Sequence, residues 1–351
     1  MRNNRKHTPA LVAAAFIIAI ISTAFIVWGR SGYPANSIGS LSTVNGQENS
    51  VYNPLQSYSY EPGYTQEASS HVPEYTQVSC TYEPENSLYD LYYPSESPPE
   101  PPALPYTNFP QQIPVLAYHS ILPTSYYYPN YVNNPWVLSL DEFYLQMRYL
   151  YENSFTTITS DHLIDYLFNN KGLPENPIIL TFDDGYLDNA LFAAPIMRQF
   201  GFTGMQFLIT GLLQEYARPI ETNPLQHMSI TEIMATLDVF EFGSHTHAMH
   251  SFVGGTPLLV SESVEAIKED ILHSFQYPLT FTTGFAYPFG RHSSNARQAL
   301  QEAGVRFAFT TQWGYLNKNT NPLLIPRFSI TGNPQGWSME KFSDIVWGRW
   351  S

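Results

Sequence analysis

The chain has 351 residues, of which 16 are Lys or Arg and 30 are Asp or Glu, so its formal net charge is −14. This balance leaves no basic surface for a polyanion and argues against nucleic acid as a partner. The sequence lacks a glycine-rich phosphate loop of either common type, which argues against nucleotide binding. The single cysteine, Cys80, excludes an intramolecular disulfide framework.

Residues 1–30 have the composition of a membrane anchor. They contain four basic residues and no acid, and the run Ala10–Trp28 has 19 residues without a charge, enough to cross a bilayer core as a helix. The preceding basic residues place the N-terminus in the cytoplasm. The alternative is a signal peptide cleaved after Ala24. We therefore expect a single-pass cell-membrane protein whose later residues lie outside the cell, or a secreted protein if the segment is cleaved.

Residues 31–112 have the composition of a spacer. They contain 12 prolines, 11 tyrosines and nine acids, and no Lys or Arg. The aliphatic residues are sparse and show neither strand nor helix periodicity, so this segment cannot bury enough surface to offset its ordering entropy. We predict a disordered or extended tether that holds the next domain away from the membrane.

Residues 113–351 show strand-like and helix-like segments in alternation. The predicted strands are 113–118, 177–182, 206–210, 239–243, 283–288 and 306–310. The predicted helices are 139–150, which begins with a capping box of Ser139 and Glu142, then 163–168, 191–200, 264–275 and one that ends at Gly304. Repeated β–α units of this kind predict a single α/β domain, either a parallel barrel or an open doubly wound sheet.

Two adjacent carboxylates, Asp183 and Asp184, follow the apolar strand 177–182. The carboxyl ends of parallel strands are where α/β folds place their chemistry. One carboxylate of such a pair can bind a metal while the other moves a proton. The alternative is a helix N-cap, because Asp is a favoured capping residue.

Three histidines, His245, His247 and His250, follow the predicted strand 239–243. Imidazoles at one strand end and a carboxylate at another are a plausible His₂Asp set for Zn²⁺. The alternative is a polar surface loop that happens to be rich in histidine.

Three segments together resemble the first three motifs of the polysaccharide deacetylase family, the NodB-homology domain of carbohydrate esterase family 4. They are 181–185 (TFDDG), the His245-Thr246 pair and 285–290 (FAYPFG), in the family's order. The resemblance covers about residues 113–330 and implies a distorted (β/α) barrel of parallel strands. It also implies that Asp183 is the general base and that Asp184 and His245 bind a divalent metal, for which we expect Zn²⁺.

The second histidine ligand is predicted from the spacing of the resemblance. The commonest family spacing falls on Met249, a poor Zn²⁺ ligand. His250 lies one residue later, and this spacing is similar to that of the poly-N-acetylglucosamine deacetylase branch. We therefore assign His250 as the ligand and His247 as a flanking residue.

The sequence also departs from the family pattern. Ala286 stands where many members carry an Arg that orients the base, and no histidine follows His292 to supply the late general acid. The resemblance to the same branch assigns the acid to His119, with a structural histidine as the alternative. Arg327 can partner an acid of the site, although we favour a structural ion pair for it.

The third motif is expected to contact substrate through Tyr287, Pro288, Phe289 and Gly290. Phe289 replaces the usual Tyr, but its backbone N–H can still donate to an oxyanion.

We therefore expect a metal-dependent hydrolase that removes acetyl groups from an N-acetylated polysaccharide, of peptidoglycan or poly-N-acetylglucosamine type, outside the cytoplasmic membrane. Two alternatives remain open. One is a non-catalytic carbohydrate-binding protein, suggested by the missing Arg and late histidine. The other is an O-acetyl esterase of xylan type, because the same chemistry removes O-acetyl groups.

Overall fold

The computed structural model describes residues 106–350, apart from 128–130, 221–224, 278–279 and 333–337. The predicted membrane helix at 10–28, Cys80 and the predicted spacer up to residue 105 lie outside this part of the chain. Among the helices that the structure describes, none has the length and apolar character needed to cross a membrane.

The main sheet is formed by short parallel strands. The strands in chain order are β1 Val115–Tyr118, β2 Ser120–Leu122, β3 Val137–Ser139, β4 Thr156–Thr157, β5 Pro177–Phe182, β6 Gly204–Leu208, β7 Phe240–Ser244, β8 Phe252–Val253, β9 Thr256–Pro257, β10 Thr280–Ala286, β11 Phe307–Phe309 and β12 Phe328–Ser329. Six of these twelve strands (β1, β5, β6, β7, β10 and β11) were predicted to within two or three residues at each end. The short strands β2, β3, β4, β8, β9 and β12 were not predicted.

The helices alternate with these strands. They are α1 Thr124–Tyr127, α2 Leu140–Glu152, α3 Ser160–Phe168, α4 Ala194–Gln199, α5 Ile230–Ala235, α6 Leu258–Ser261, α7 Val264–Ser274, α8 Ser294–Glu302 and α9 Met339–Val346. The predicted capping box is present, because Ser139 and Glu142 hydrogen-bond each other's backbone at the start of α2. The helix predicted at 191–200 is observed as a π-helical turn, Asn189–Ala193, that continues into α4.

The strand order in the sheet is β11-β10-β7-β6-β5-β1-β12, with β4 beside β5, and the pairs are parallel. Parallel pairing brings the carboxyl ends of β1, β5, β7 and β10 to one edge. The edge strands β11 and β12 are connected by a bridge between Phe309 and Ile325, just before β12 begins. The structure thus confirms the predicted α/β class as a half-barrel of parallel strands.

Side-chain alternation along β5 explains why its two carboxylates differ. Ile178, Leu180 and Phe182 pack against α2 and α4 in the helix-facing core. Ile179 belongs to a separate core with Phe207 and Phe309. Because strand side chains alternate with a period of two, Asp183 continues the row of Ile179 and Thr181. The strand therefore directs Asp183 away from the helices.

Residues at the end of the predicted spacer contact the predicted domain. Asn108, placed in the spacer by composition, forms an antiparallel bridge with Leu173, and its side-chain amide donates to the Pro174 carbonyl at 3.0 Å. Tyr166 donates to the Pro110 carbonyl at 2.9 Å. These contacts are non-local, and composition alone does not predict them.

Candidate active site

Left-handed backbone follows the ends of three strands of the main sheet. Asp184 (φ 72°) follows β5, Thr246 (φ 75°) follows β7 and Phe289 (φ 58°) follows β10. Non-glycine residues rarely adopt this conformation, and each instance costs about 1–3 kcal/mol, which the surrounding structure must offset. All three lie in the three sequence motifs, so the strain is concentrated at one edge of the sheet.

Asp183 forms a buried ion pair with Arg327. Arg327 Nη1 and Nη2 donate to Asp183 Oδ1 and Oδ2 at 2.8 and 2.6 Å, and both side chains are almost fully buried. The guanidinium also donates to Thr181 Oγ1 and to the Thr310 carbonyl, both at 2.9 Å. Burial alone would raise the pKa of Asp183, but the charge and hydrogen bonds of Arg327, together with the nearby His245 and His119, outweigh it and hold that pKa well below its usual value.

Arg327 therefore partners an acid of the site, which was the alternative we did not favour from the sequence. The third-motif position is Ala286, as read from the sequence, and the guanidinium comes instead from the segment that leads into β12. Arg327 thus forms a buried ion pair with Asp183 and, through the same contact, fixes the orientation of that carboxylate.

Asp184, His245 and His250 form the candidate metal centre among the described residues. One ligand atom from each lies within 4.8 Å of the others. His245 Nε2 and His250 Nε2 approach Asp184 Oδ1 to 3.5 and 3.4 Å. His245 Nδ1 donates to the Ala286 carbonyl at 2.7 Å, which leaves the Nε2 lone pair directed at the cluster.

The donors in this cluster suit a divalent cation. Asp184 Oδ1 is buried and has no hydrogen-bond partner in the described structure, as expected for an atom placed to ligate an ion. Burial lowers the pKa of His250 to about 4, so its imidazole is neutral, which is the form that binds metals. One carboxylate and two imidazoles are a common set for a catalytic metal site with an open position.

His247 faces away from this cluster. Its Nδ1 lies 3.0 Å from Thr210 Oγ1, and its ring stacks on His273 with the centroids 4.2 Å apart. Asp270 accepts hydrogen bonds from the amides of His247 and Ala248 at 2.8 and 2.7 Å. The loop is thus fixed to α7 between the two candidate ligands, His245 and His250, which supports the assignment of His250 rather than His247.

His119 follows β1 and packs against Trp136, with ring centroids 4.7 Å apart. Its Nδ1 atom is buried without a hydrogen-bond partner among the described residues. Burial lowers the pKa of His119, while the negative charges of Asp184 and Asp183 oppose that effect. These interactions place His119 within electrostatic reach of both carboxylates.

The third motif contributes a tight turn rather than a set of side chains. Gly290 has φ 66°, and a Cβ there would lie 1.9 Å from Thr311 Oγ1, so only glycine fits. Phe289 packs on His250, with ring centroids 4.4 Å apart. Tyr287 was predicted to contact substrate, but its ring is fully buried in the core beneath α7 and α8 and does not line the site. Pro288 is buried as well.

Residues outside the motifs also reach the site. His227 Nδ1 lies 2.9 Å from the Asp184 carbonyl, and its ring stacks on Tyr186. Asp188 hydrogen-bonds the residues that follow His119. No motif surrounds His227, so the sequence could not predict its place beside the site. Asp188 lies only four residues after Asp184, and this position could have suggested a role for it.

The capping alternative for the acid pair is not supported by the structure. The helical segment after β5 begins at Asn189, and its N-cap residue is Asp188. Asp183 is bound to Arg327, and Asp184 faces the histidines.

Comparison with known proteins gives the class of this enzyme. Residues 170–308 match the family described as polysaccharide deacetylase. Residues 170–308 therefore form a polysaccharide deacetylase domain, as the motifs predicted, and this domain together with relatives named as deacetylases supports a deacetylase.

Individual relatives are distant. YxkH of Bacillus subtilis is 24% identical over 230 residues, which cover 66% of this chain and 75% of the relative. A poly-beta-1,6-N-acetyl-D-glucosamine N-deacetylase of Staphylococcus aureus is 25% identical over 206 residues, covering 55% and 68%. The Streptococcus pyogenes deacetylase PplD, solved with acetate, has a TM-score of 0.56 at 22% identity and is covered to 99%, against 68% of this chain. The structural likeness shows the shared fold.

Proposed function

We propose that this protein is a metal-dependent hydrolase that removes N-acetyl groups from an exported polysaccharide. The observation that carries the proposal is that an ionised carboxylate lies beside a potential metal site. Asp183, which pairs with Arg327, directly precedes Asp184, which forms the cluster with His245 and His250 at the same sheet edge. Among such polymers, the similarity to an N-deacetylase of poly-beta-1,6-N-acetyl-D-glucosamine favours that substrate over peptidoglycan.

Asp184, His245 and His250 would hold the divalent cation, for which the ligand set favours Zn²⁺. When bound, such an ion supplies Lewis-acid activation of the attacking water and of the acetyl carbonyl.

Asp183 is the general base of the proposed reaction. Its pKa is depressed by Arg327, so the carboxylate is ionised at neutral pH and can accept a proton from the attacking water. The bidentate contact fixes both carboxylate oxygens, which sets the direction of that transfer.

His119 is the proposed acid for the departing amine. An amide nitrogen is a poor leaving group, and protonation by a positioned imidazole makes it a neutral amine. The nearby carboxylates favour the protonated form of His119 against the effect of burial. The Phe289 backbone N–H, in the strained turn after β10, is the proposed donor to the developing oxyanion.

Exposed aromatic rings beside the site suit a sugar polymer. Trp136 is 47% exposed and contacts His119, while Phe252 is 36% exposed and contacts Phe289. Such rings offer flat apolar surface to the apolar faces of pyranose rings. An extended substrate could therefore contact the protein on both sides of the reacting acetamide.

The location outside the membrane remains part of the proposal. It is supported by the uncharged run 10–28 and by the spacer composition that follows it. The anchor can be tested by expressing the full chain and assaying it in membrane and soluble fractions, where an N-terminal sequence of the isolated protein reports cleavage after Ala24.

Acetate release decides between the candidate activities. The full chain, loaded with Zn²⁺ or Co²⁺, is assayed on poly-N-acetylglucosamine, peptidoglycan, chitin oligomers and acetylated xylan. We expect release from an N-acetylated polymer, and a fall of about 10²–10⁴-fold in Asp183→Asn, the usual range for loss of a general base. Equal release by the variant would disprove the role of Asp183.

The alternatives make different predictions in the same assay. Release from xylan alone would identify an O-acetyl esterase. Tight polymer binding without release would support a non-catalytic binding protein, but the missing third-motif Arg that suggested one is replaced by Arg327.

A further inference from the structure

Asp188 is a fully buried carboxylate that the proposed chemistry does not use. It lies four residues after Asp184, immediately before the π-helical turn Asn189–Ala193. Burying a carboxyl group is unfavourable unless its oxygens are hydrogen-bonded, so a residue of this kind needs a structural or functional reason.

The partners of Asp188 are the residues that follow His119. Ser120 Oγ donates to Asp188 Oδ2 at 2.6 Å, and the Ile121 amide donates to Oδ1 at 3.0 Å. On the other side, the Ser120 amide donates to the Trp136 carbonyl at 3.1 Å. Both oxygens of Asp188 are therefore committed to the backbone segment that emerges from His119.

His119 has little else to orient it. Its Nδ1 atom is buried without a partner among the described residues, so no hydrogen bond at that nitrogen fixes the ring. The ring packs on Trp136, whose carbonyl holds the same Ser120 amide. The direction of the imidazole thus depends on the backbone at 119–121, which Asp188 holds.

We propose that Asp188 is a positioning residue that sets the imidazole of His119 against the Asp184, His245 and His250 cluster. It does so by hydrogen-bonding Ser120 and Ile121 from the segment that also carries Asp183 and Asp184. The inference rests on the proposed amide hydrolysis with His119 as the acid. The single buried side chain of Asp188 then fixes the position of the acid relative to the base and the first metal ligand.

An asparagine at position 188 can preserve this arrangement. Its Oδ1 can accept from the Ile121 amide, and its Nδ2 can donate to Ser120 Oγ, with the same side-chain shape. Burial raises the pKa of Asp188 to about 8, so the neutral form that asparagine imitates already predominates at pH 7. An alanine loses both hydrogen bonds and leaves the Ile121 amide buried without its partner.

Two substrates separate positioning of the acid from general structural damage. Hydrolysis of an N-acetyl amide needs a proton for the departing amine, whereas 4-nitrophenyl acetate releases a phenolate that leaves without one. The metal-loaded full chain is assayed on both, with His119→Ala as the reference. In Asp188→Ala and Ser120→Ala we expect amide turnover to fall about 10–100-fold, part of the 10²–10⁴-fold that a general acid supplies, and ester turnover to stay within about threefold.

Asp188→Asn should rescue the amide rate, and adding Asp188→Ala to His119→Ala should cost no further amide activity, because both act through one group. Asp141→Ala is the matched control, since it removes an exposed hydroxyl–carboxylate contact of the same length, Thr124 to Asp141 at 2.6 Å. It should change neither rate.

Equal loss of amide and ester turnover in Asp188→Ala would overturn the inference. So would a further loss of amide turnover when Asp188→Ala is added to His119→Ala, or a low amide rate in Asp188→Asn. Absence of amide turnover in the unmodified protein, with ester turnover present, would instead refute the proposed function. The two failures are therefore distinguishable.

Discussion

Asp183 and Asp188 lie five residues apart in the chain and are both buried, but their surroundings differ in one respect. Asp183 faces the guanidinium of Arg327, and its pKa is held well below the usual value. Asp188 faces a hydroxyl and a backbone amide, and burial raises its pKa to about 8. Burial alone therefore does not decide the charge of a carboxyl group here; the partner does.

The largest expected effect comes from removing the charge that stabilises Asp183. Arg327→Leu leaves a buried carboxylate without a counter-ion, which typically costs about 3–5 kcal/mol of unfolding free energy. The same change abolishes the fixed orientation of the base. Chemical denaturation and acetate release measure the two losses.

Two further variants test whether the charge is the cause. Asp183→Asn in the Arg327→Leu background removes the unpaired charge and should recover part of the lost stability. Arg198→Leu breaks an exposed bidentate pair with Asp238, 46% and 55% exposed, and should cost at most about 1 kcal/mol. Equal losses in the buried and the exposed variant would remove the contrast on which the comparison depends.

The next effect concerns the cluster of Asp184, His245 and His250, which lies beside the charged Asp183. Residues that only support a metal ligand typically contribute 10–100-fold to metal affinity, so loss of the ligand in His250→Ala should exceed about 100-fold. His247→Ala should change affinity far less, because His247 contacts Thr210 and His273. Zn²⁺ titration of both variants measures this, and the reverse order would exchange the two assignments.

A further effect concerns the pH dependence of stability at Asp188, the neutral member of the pair. The folded-state pKa of Asp188, about 8, lies above its unfolded value near 4, so the unfolded chain binds fewer protons between these limits. The native state therefore loses stability as pH rises from about 4 to 8. Asp188→Asn removes this loss, so its Tm relative to the unmodified protein should be higher at pH 8 than at pH 5. A shift of about 2–4 °C is expected for each kcal/mol, and an unchanged difference would show that Asp188 is not held neutral.

Local patterns predicted much of this molecule. The apolar run of β5 and the position of its end located Asp183 and Asp184, and the histidine spacing favoured His250, which the structure places in the cluster. The strands predicted at 206–210 and 306–310 are displaced or shorter because their boundaries depend on pairing with neighbouring strands.

Non-local contacts explain what the sequence did not predict. Arg327 reaches Asp183 only because the segment before β12 closes the half-barrel, and a two-residue strand has no periodicity to detect. The direction of the Tyr287 ring depends on packing beneath α7 and α8, which no local pattern reports. His227 is positioned by the bridge that it forms with Tyr186. It lies in a loop without a motif, so no local pattern predicts this contact.

The ion pair of Asp183 and Arg327 also has a consequence for the order in which the protein matures. Its partners are 144 residues apart, so at about 5–20 residues per second the ribosome needs ~7–29 s to add Arg327 after Asp183. During that interval the nascent chain lacks Arg327, the cation that pairs with this carboxylate, and burying the carboxylate without it is unfavourable. Completion of the site is therefore tied to the segment that leads into the last strand of the sheet, and an unfinished chain lacks the contact that orients Asp183.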